Sequence, residues 1–385
     1  MGNIDRRQVL KLSGIAMAST AGCIGGGGGG GSSDFEPMDM AANEFQNPSE
    51  VDYESTFNLW DWYTGTSAWV AEQLPGSFEN LNTVNNSGYS SASEWYGRLE
   101  SGNHQMDTVG GKTEFTRNAI DNDYLAPLPV SEMPNWEHIT DEAKEFFNEY
   151  LSDDEGNIYA VPQTQGMGPT IGYNSDAFDE PPTSWDVLWN DEYEGRITMP
   201  NTALEVGMVG ALYTDQDPFS PDDFEDIKEA LVQQKPLNST YWEEFSGAER
   251  MFTNKSVDVG ACTRGLLYDA RFSNDAPHIE YTVPEEGAFV FSNHYIVPND
   301  APHPKISTLY ANWIMEPSRI VHFFTEDGYS TPIKNLDEAL QNAGVSEDQA
   351  AWFAPSSDAT IRTIPPLEDS VIEEYDRVFS EVKAA

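Results

Sequence analysis

The sequence predicts an α/β protein in which strands and helices alternate along the chain. The aromatic and aliphatic run Phe57-Asn-Leu-Trp-Asp-Trp62 has the composition of a strand, and Met106–Val109 reads as another strand after intervening helical patterns. Such alternation favours largely parallel sheets, because each helix returns the chain to the same end of the sheet. The 385 residues are enough for two domains or lobes of ordinary size.

Two helices are predicted between these strands. The first opens at Ser67 and ends at Pro75, because proline has no amide hydrogen to continue the helical bonds. The second follows a capping-box pattern at Ser91–Glu94, and Gly102 fits just past its end. Each helix carries apolar residues at helical spacing, so each is expected to pack one face on a sheet.

The rest of the chain continues the alternation. A helix is predicted behind Ser220–Asp223, with the cap at Ser220 and Pro221 at the first helical position. Pro317 separates two later helices. The other strands and helices are expected at 157–162, 170–173, 306–314, 320–324 and 371–382.

The net charge is strongly negative and widely distributed. Acids outnumber bases 65 to 20, which gives a formal charge of −45. The acids are spread along the chain, which is typical of the proteins of salt-loving archaea, whereas the alternative, a cation-binding surface, would require clustered carboxylates. Because nucleic acid is itself polyanionic, this charge argues against it as a partner.

The N-terminus has the organisation of an export signal. Arg6-Arg7 precedes a short apolar stretch at Leu12–Ala21, which resembles a twin-arginine signal peptide over residues 1–22. Ala21-Gly22-Cys23 resembles a lipobox, so we expect lipid on Cys23. A buried anchor or a chance cysteine is the alternative. Residues 23–54, glycine-rich and then acidic, are expected to form a linker. The predicted location is the extracellular face of the cytoplasmic membrane.

Motifs that would indicate an enzyme are incomplete. Gly110-Gly111-Lys112-Thr113 imitates the end of a phosphate-binding loop, but Met106 stands where its first glycine is required. The six histidines have no metal-ligand spacing, and no G-x-S-x-G elbow occurs. We therefore expect no catalysis, no metal and no cofactor. A secreted hydrolase stays open as the alternative class, because carboxylate pairs are common in so acidic a chain.

From Phe57 to Asn335, and again near the C-terminus, the chain resembles the spermidine/putrescine-binding proteins of ABC importers, which are bacterial extracellular solute-binding proteins. The resemblance rests on several short stretches in the same order. They are Leu59–Trp62, Tyr159–Pro162, Ile171–Asn174, Thr183–Trp189, Thr202–Glu205, Gly287–Pro298, Gly328–Pro332 and Ile372–Tyr375.

The resemblance implies a two-lobed periplasmic-binding-protein fold of type II, with the ligand in the cleft between the lobes. Two crossovers are expected near 159–173 and 289–298. Lobe one would comprise 55–162 plus 299–335, and lobe two 163–298 plus 336–385. The implied partners are a small polar ligand and a membrane permease, and we expect a monomer.

In the resembled family, aromatic rings enclose the methylene chain of a polyamine and carboxylates hold its ammonium ends. By position, Trp62 and Tyr329 would be cleft aromatics and Glu205 an amine-holding carboxylate. A ring face attracts a cation by roughly 0.5–2 kcal/mol. Trp62 could instead be a core aromatic, and Glu205 one more solvated acid.

Several positions depart from the family pattern. A second acid near Glu205 is replaced by Thr202, and the aromatic and acid beside the second crossover fall at Phe291 and Asn293. Arg264 follows a position where the family has a cleft tryptophan. If Arg264 lines the cleft, it favours a zwitterion or carboxylate, and otherwise it is structural. The resemblance thus implies a polyamine binder, and the departures from the family pattern leave a zwitterion or carboxylate binder as the alternative.

Overall fold

The computed structural model describes residues 39–89, 91–353 and 360–385, apart from the side chains of Glu114 and Asp327. The predicted signal peptide, Cys23 and the glycine-rich tether lie outside these residues. Eleven strands are present among the residues described. They are β1 Thr56–Trp60, β2 Thr83–Ser87, β3 Thr108–Lys112, β4 Ala160–Met167, β5 Thr170–Asn174, β6 Ile197–Pro200, β7 Asn238–Trp242, β8 Val259–Cys262, β9 Ile279–Thr282, β10 Ala288–Ile296 and β11 Ile361–Thr363.

Helices connect most of these strands. They are α1 Ala42–Gln46, α2 Thr64–Ser77, α3 Ala92–Ser101, α4 Thr113–Asp121, α5 Asp141–Tyr150, α6 Ala203–Tyr213, α7 Phe224–Gln234, α8 Phe245–Thr253, α9 Arg264–Tyr268, α10 Pro304–Ile314, α11 Pro317–Ile320, α12 His322–Asp327, α13 Leu336–Asn342, α14 Glu347–Ala351 and α15 Asp369–Ala384. Within the part of the chain that the structure describes, no helix combines the length and apolar composition needed to cross a membrane.

The strands form two separate sheets. Sheet one has the order β11-β10-β3-β1-β2, with β4 paired to β10, and sheet two has the order β7-β6-β8-β5-β9. In sheet one, β1 runs parallel to both β2 and β3. In sheet two, β6 runs parallel to both β7 and β8. The predicted α/β class and its parallel strands are therefore present in two lobes, one around each sheet.

The chain crosses between the sheets twice. It leaves β4 at Met167 and enters β5 at Thr170, and it leaves β9 at Thr282 and returns in β10 at Ala288. The amide of Gly168 donates to the carbonyl of Phe289 at 2.8 Å, so the two connections lie side by side. The return comes earlier than predicted. β10 and β11 pair within sheet one, although the sequence prediction gave their residues to lobe two.

The predicted linker is too long at its C-terminal end. Residues 39–54 include α1, and the side chains of Met40, Phe45, Val51 and Tyr53 are buried in the core of lobe one. Tyr53 packs edge-on against Phe78 at 5.6 Å between ring centroids. The acidic composition concealed these four apolar side chains, whose burial stabilises the segment against the lobe.

Local signals placed the helices well but some ends differ. α3 follows Ser91 and ends at Gly102, which adopts φ +61°, as predicted, although the Ser91 side chain makes no capping bond. α2 begins three residues before Ser67 and includes Pro75, which sits in its last turn. α7 is capped by Asp223, which accepts from two amides, so the predicted cap at Ser220 is wrong.

Candidate ligand-binding cleft

Both sheets present the carboxyl ends of parallel strands to the same cleft. In lobe one, β1, β2 and β3 end close to Trp62, Tyr89 and Lys112. In lobe two, β6 and β7 are followed by the helix starts that carry Glu205 and Phe245. Ligands of open α/β sheets bind outside such strand ends, because the loops there converge and helix N-termini point inward.

A cavity of about 270 Å³ lies between these strand ends. This volume is just below the roughly 300–1,000 Å³ range of ligand pockets, so it suits a small solute. The lining is mostly aromatic and polar. It consists of Trp62, Tyr63, Tyr89, Lys112, Thr113, Gln163, Gly168, Leu204, Glu205, Met208, Phe245, Thr263, Phe291, Ser292, Asn293, Tyr329 and Ile364.

Glu205 lies in the first turn of α6 and brings a carboxylate to the cavity. The Thr202 hydroxyl donates to Glu205 Oε2 at 2.5 Å, which orients the carboxylate. Burial raises the pKa of Glu205 above its ordinary value, and the Thr202 hydroxyl and the Lys112 ammonium offset this only in part. A desolvated carboxylate of this kind gains strongly from a cationic partner.

Aromatic rings enclose the cavity from both lobes. Trp62 lies beside Tyr89, with 6.0 Å between ring centroids, and Tyr329 lies between Tyr63 at 5.1 Å and Phe291 at 6.1 Å. Trp62 and Phe245 are 51% and 43% exposed, so each still offers ring surface to an occupant. Ring faces and edges of this kind pack against methylene groups and attract cations.

A buried polar network supports the wall of lobe one. Asp61 is 1% exposed and accepts from Gln163 Nε2 at 2.9 Å and from the Tyr295 hydroxyl at 2.6 Å. Asn293 Nδ2 donates to the Tyr63 hydroxyl at 2.8 Å and to Thr164 Oγ1 at 3.0 Å. These bonds hold the cavity side chains in fixed orientations before any solute arrives.

Five of the seven predicted ligand-binding residues line the cavity: Trp62, Glu205, Tyr329, Phe291 and Asn293. Thr202 acts on it indirectly through Glu205. The ligand contacts themselves stay a prediction.

Arg264 is not brought to the cavity. Its side chain is buried, Nη1 donates to the Phe353 carbonyl at 3.2 Å, and the guanidinium lies 4.5 Å from the Phe353 ring centroid. Thr263 lines the cavity, and α9 begins at the next residue, so Arg264 starts a helix that packs toward the 353 region. The geometry therefore favours the structural interpretation of Arg264.

The cavity cation is Lys112 instead. It ends β3, and its Nζ lies 6.0 Å from the Trp62 ring centroid. The sequence placed Lys112 in an incomplete phosphate loop and did not connect it with the cleft. Tyr63, Tyr89 and Phe245 were missed as well. For these three aromatic residues the available signal was a position two or three residues after the end of a parallel strand.

The fold and the site define a two-lobed binding protein that encloses its ligand between two α/β lobes. The sequence model of the family described as bacterial extracellular solute-binding protein matches residues 80–352, and the chain belongs to this family. The predicted fold class is confirmed by the likeness to solved structures given below. As a member of this family the chain is a solute-binding protein and not an enzyme.

Curated relatives are similar over most of the chain. The putrescine/agmatine-binding protein of Pseudomonas aeruginosa is 24% identical over 355 residues, covering 86% of this chain and 92% of that protein. The putrescine-binding periplasmic protein PotF of Escherichia coli is 20% identical over 350 residues, with the same coverage of 86% and 92%.

A solved structure has the same fold. The spermidine/putrescine ABC transporter substrate-binding protein PotD from Streptococcus pneumoniae superimposes with a TM-score of 0.74 at 19% identity, covering 86% of this chain and 99% of that chain.

Proposed function

We propose that this protein is the extracellular binding component of an ABC importer and that it captures a small organic amine, of the polyamine type, between its lobes. The observation that carries this proposal is the Glu205 carboxylate, partly buried in a cavity lined by Trp62, Phe245 and Tyr329. An ammonium group is the natural partner of such a carboxylate, and the rings suit the attached methylene chain.

Three further findings support the amine. The curated relatives and the solved neighbour described above carry putrescine, agmatine or spermidine in their names. The Thr202 hydroxyl donates to the Glu205 carboxylate and holds it in one orientation, whereas an acid that only faces solvent has no such fixed orientation. Capture by lobe closure would then desolvate the amine from both sides and present the closed form to a membrane permease.

Glu205→Gln tests the proposal. We expect it to weaken amine binding by about tenfold or more in calorimetry, because the charge partner is lost while the shape is kept. Wild-type affinity should fall as the pH is lowered and Glu205 takes up a proton, starting at a higher pH than for an ordinary glutamate because burial raises its pKa. Glu205→Gln should lack this acid-side loss.

A matched control is Glu243→Gln, which removes another carboxylate of lobe two that does not line the cavity. It should bind amines as the wild type does. Unchanged affinity in Glu205→Gln across the same pH range would refute the amine assignment.

We also propose that the chain is exported by a twin-arginine signal, anchored through lipid on Cys23, and monomeric. The support for export and anchoring is the order of Arg6-Arg7, the apolar stretch and Ala21-Gly22-Cys23. A folded state that depends on strong salt would suit a route that exports folded proteins.

A further inference from the structure

Charge is balanced at the cavity although the chain as a whole is strongly acidic. Among the described residues that line the cavity, Lys112 and Glu205 are the two that carry charge. The whole sequence has 65 acids against 20 bases, so a wall with one of each departs sharply from the rest of the molecule. A cavity for a dication would be expected to present at least two carboxylates.

The two charges stand on opposite lobes. Lys112 ends β3 of sheet one, and Glu205 lies in the first turn of α6 behind β6 of sheet two. Within the described part of the chain, Lys112 makes no ion pair with any carboxylate at 4.0 Å or less. The Lys112 ammonium and the Glu205 carboxylate are therefore both available to a solute that spans the cleft.

A third charge lies behind the wall but is already satisfied. Asp61 does not line the cavity, and its carboxylate accepts from Gln163, from the Tyr295 hydroxyl and from the Tyr63 amide at 3.1 Å. These donors neutralise part of its field, because each supplies a positive dipole end at hydrogen-bond distance. Asp61 thus supports the cavity wall of lobe one without facing the solute. Lys112 is then the charged group of lobe one that contacts one end of the solute.

We propose that the solute is a linear zwitterion, with its ammonium held by Glu205 of lobe two and its carboxylate held by Lys112 of lobe one. This inference rests on the proposed function, since the amine at Glu205 is common to both. The partner of the solute carboxylate is then Lys112 and not Arg264, whose guanidinium contacts Phe353. Because its charged ends meet different lobes, such a solute would link them when they close.

The shape of the solute follows from the same geometry. In an α-amino acid the two charged groups share one carbon, which would place both at a single wall. Charges at opposite ends of a short methylene chain reach both lobes, and the methylenes then lie between Trp62 and Phe245. An ω-amino carboxylate has this arrangement.

The test uses three probes of similar size in calorimetry on the full chain in high salt. They are 4-aminobutanoate, putrescine and 2-aminobutanoate. We expect the wild type to bind 4-aminobutanoate at least about tenfold more tightly than either other probe, because only this probe satisfies both charges at separate walls. Tighter binding of putrescine, or equal binding of 2-aminobutanoate, would overturn the inference.

Variants of Lys112 give a second readout, and Lys112 is exposed, so these changes should leave folding intact. Lys112→Gln should weaken the binding of 4-aminobutanoate by about tenfold and leave the affinity for putrescine unchanged or higher. Lys112→Glu should reverse the preference, so that putrescine binds more tightly than 4-aminobutanoate. Lys144→Gln removes the same charge away from the cavity and should behave as the wild type.

The outcomes separate the two proposals. If the wild type binds putrescine more tightly than 4-aminobutanoate and Lys112→Gln raises the affinity for putrescine further, the zwitterion proposal is refuted. Amine capture at Glu205 would then still stand. If neither 4-aminobutanoate nor putrescine binds in any variant, the proposed function itself fails. A preference for 4-aminobutanoate that is lost in Lys112→Gln and retained in Lys144→Gln supports both.

Discussion

Phe291 owes its place in the cavity wall to a glycine on the neighbouring strand. Gly166 of β4 pairs directly with Phe291 of β10, and a Cβ added at Gly166 would fall 1.8 Å from the Cζ atom of the ring. The ring thus lies across the glycine, where a side chain would otherwise stand. This contact fixes the position of the ring relative to its aromatic neighbour Tyr329.

Gly166→Ala should therefore disturb the site. We expect the free energy of unfolding to fall by about 1–3 kcal/mol, the usual cost of overpacking, and solute affinity to fall as the ring is displaced. Thermal melts and calorimetry measure the two effects. Gly97→Ala is the control, because its added Cβ meets no atom within 4 Å and it lies inside α3. Wild-type melting and affinity in Gly166→Ala would contradict this packing.

Some of the site residues could be predicted from the sequence and others could not. Trp62 and Glu205 stand in stretches that resemble known binding proteins, so their positions carried over. Lys112 could not be recognised, because a lysine after a glycine pair has many structural settings. Arg264 was misleading because a cation beside a predicted cleft position stands out in an acidic chain. In the structure, the helix that begins at Arg264 directs its side chain away from the cavity.

At the level of elements, the C-terminal helix secures the helix that carries Glu205. α15 packs on α6 and α7, and its buried residues include Tyr375 and Phe379. Gly207 of α6 allows the close approach, since a Cβ there would lie 2.1 Å from Tyr375 Cδ1. The Tyr375 hydroxyl donates to the Pro218 carbonyl at 2.7 Å. The position of Glu205 thus depends on a segment far along the chain.

Tyr375→Ala should destabilise lobe two. We expect a loss of about 3–5 kcal/mol in unfolding free energy, the range for buried aromatic residues changed to alanine. Tyr375→Phe should lose only about 0.5–1.5 kcal/mol, because it removes one hydrogen bond. Asp376→Ala is the exposed neighbour and should change little. Denaturant unfolding measures all three, and equal losses in Tyr375→Ala and Asp376→Ala would contradict the packing role.

The prediction of elements succeeded where a local signal was decisive and failed where long-range packing decided. Gly102 and Pro317 marked real helix boundaries. The segment 39–54 looked like linker because its few apolar residues are spaced without a period, and only the surface of lobe one gives them a place to be buried. The early return of the second crossover was equally invisible, since strand pairing determines it and composition does not.

For the whole molecule, the balance of charges is the dominant electrostatic fact. With 65 acids and 20 bases, the acids exceed the bases by 45, so most acids carry a charge that no base neutralises. Many observed pairs are exposed, such as Lys255 with Asp176 at 2.6 Å, and contribute little individually. Repulsion among the remaining acids therefore opposes the compact state in dilute buffer.

Melting temperature should rise steeply with KCl concentration. Salt shortens the range of repulsion from about 10 Å at 0.1 M to about 3 Å at 1 M, and concentrated salt also favours apolar burial. Melting curves from dilute buffer to molar KCl measure this effect. A neutral osmolyte at equal osmolality is the control and should stabilise less. A melting temperature that does not change with KCl would contradict the prediction.

The position of β10 along the chain has a consequence for biosynthesis. This strand pairs with β3 on one side and β4 on the other, yet it begins at residue 288 of 385, after all strands of sheet two. During translation, β3 and β4 must wait with unpaired edges while the whole of sheet two is synthesised. Open edges of this kind invite pairing with other chains. The nascent protein thus depends on protection from aggregation until the ribosome has passed this strand, and the central pairing of sheet one forms only after every strand of sheet two has emerged.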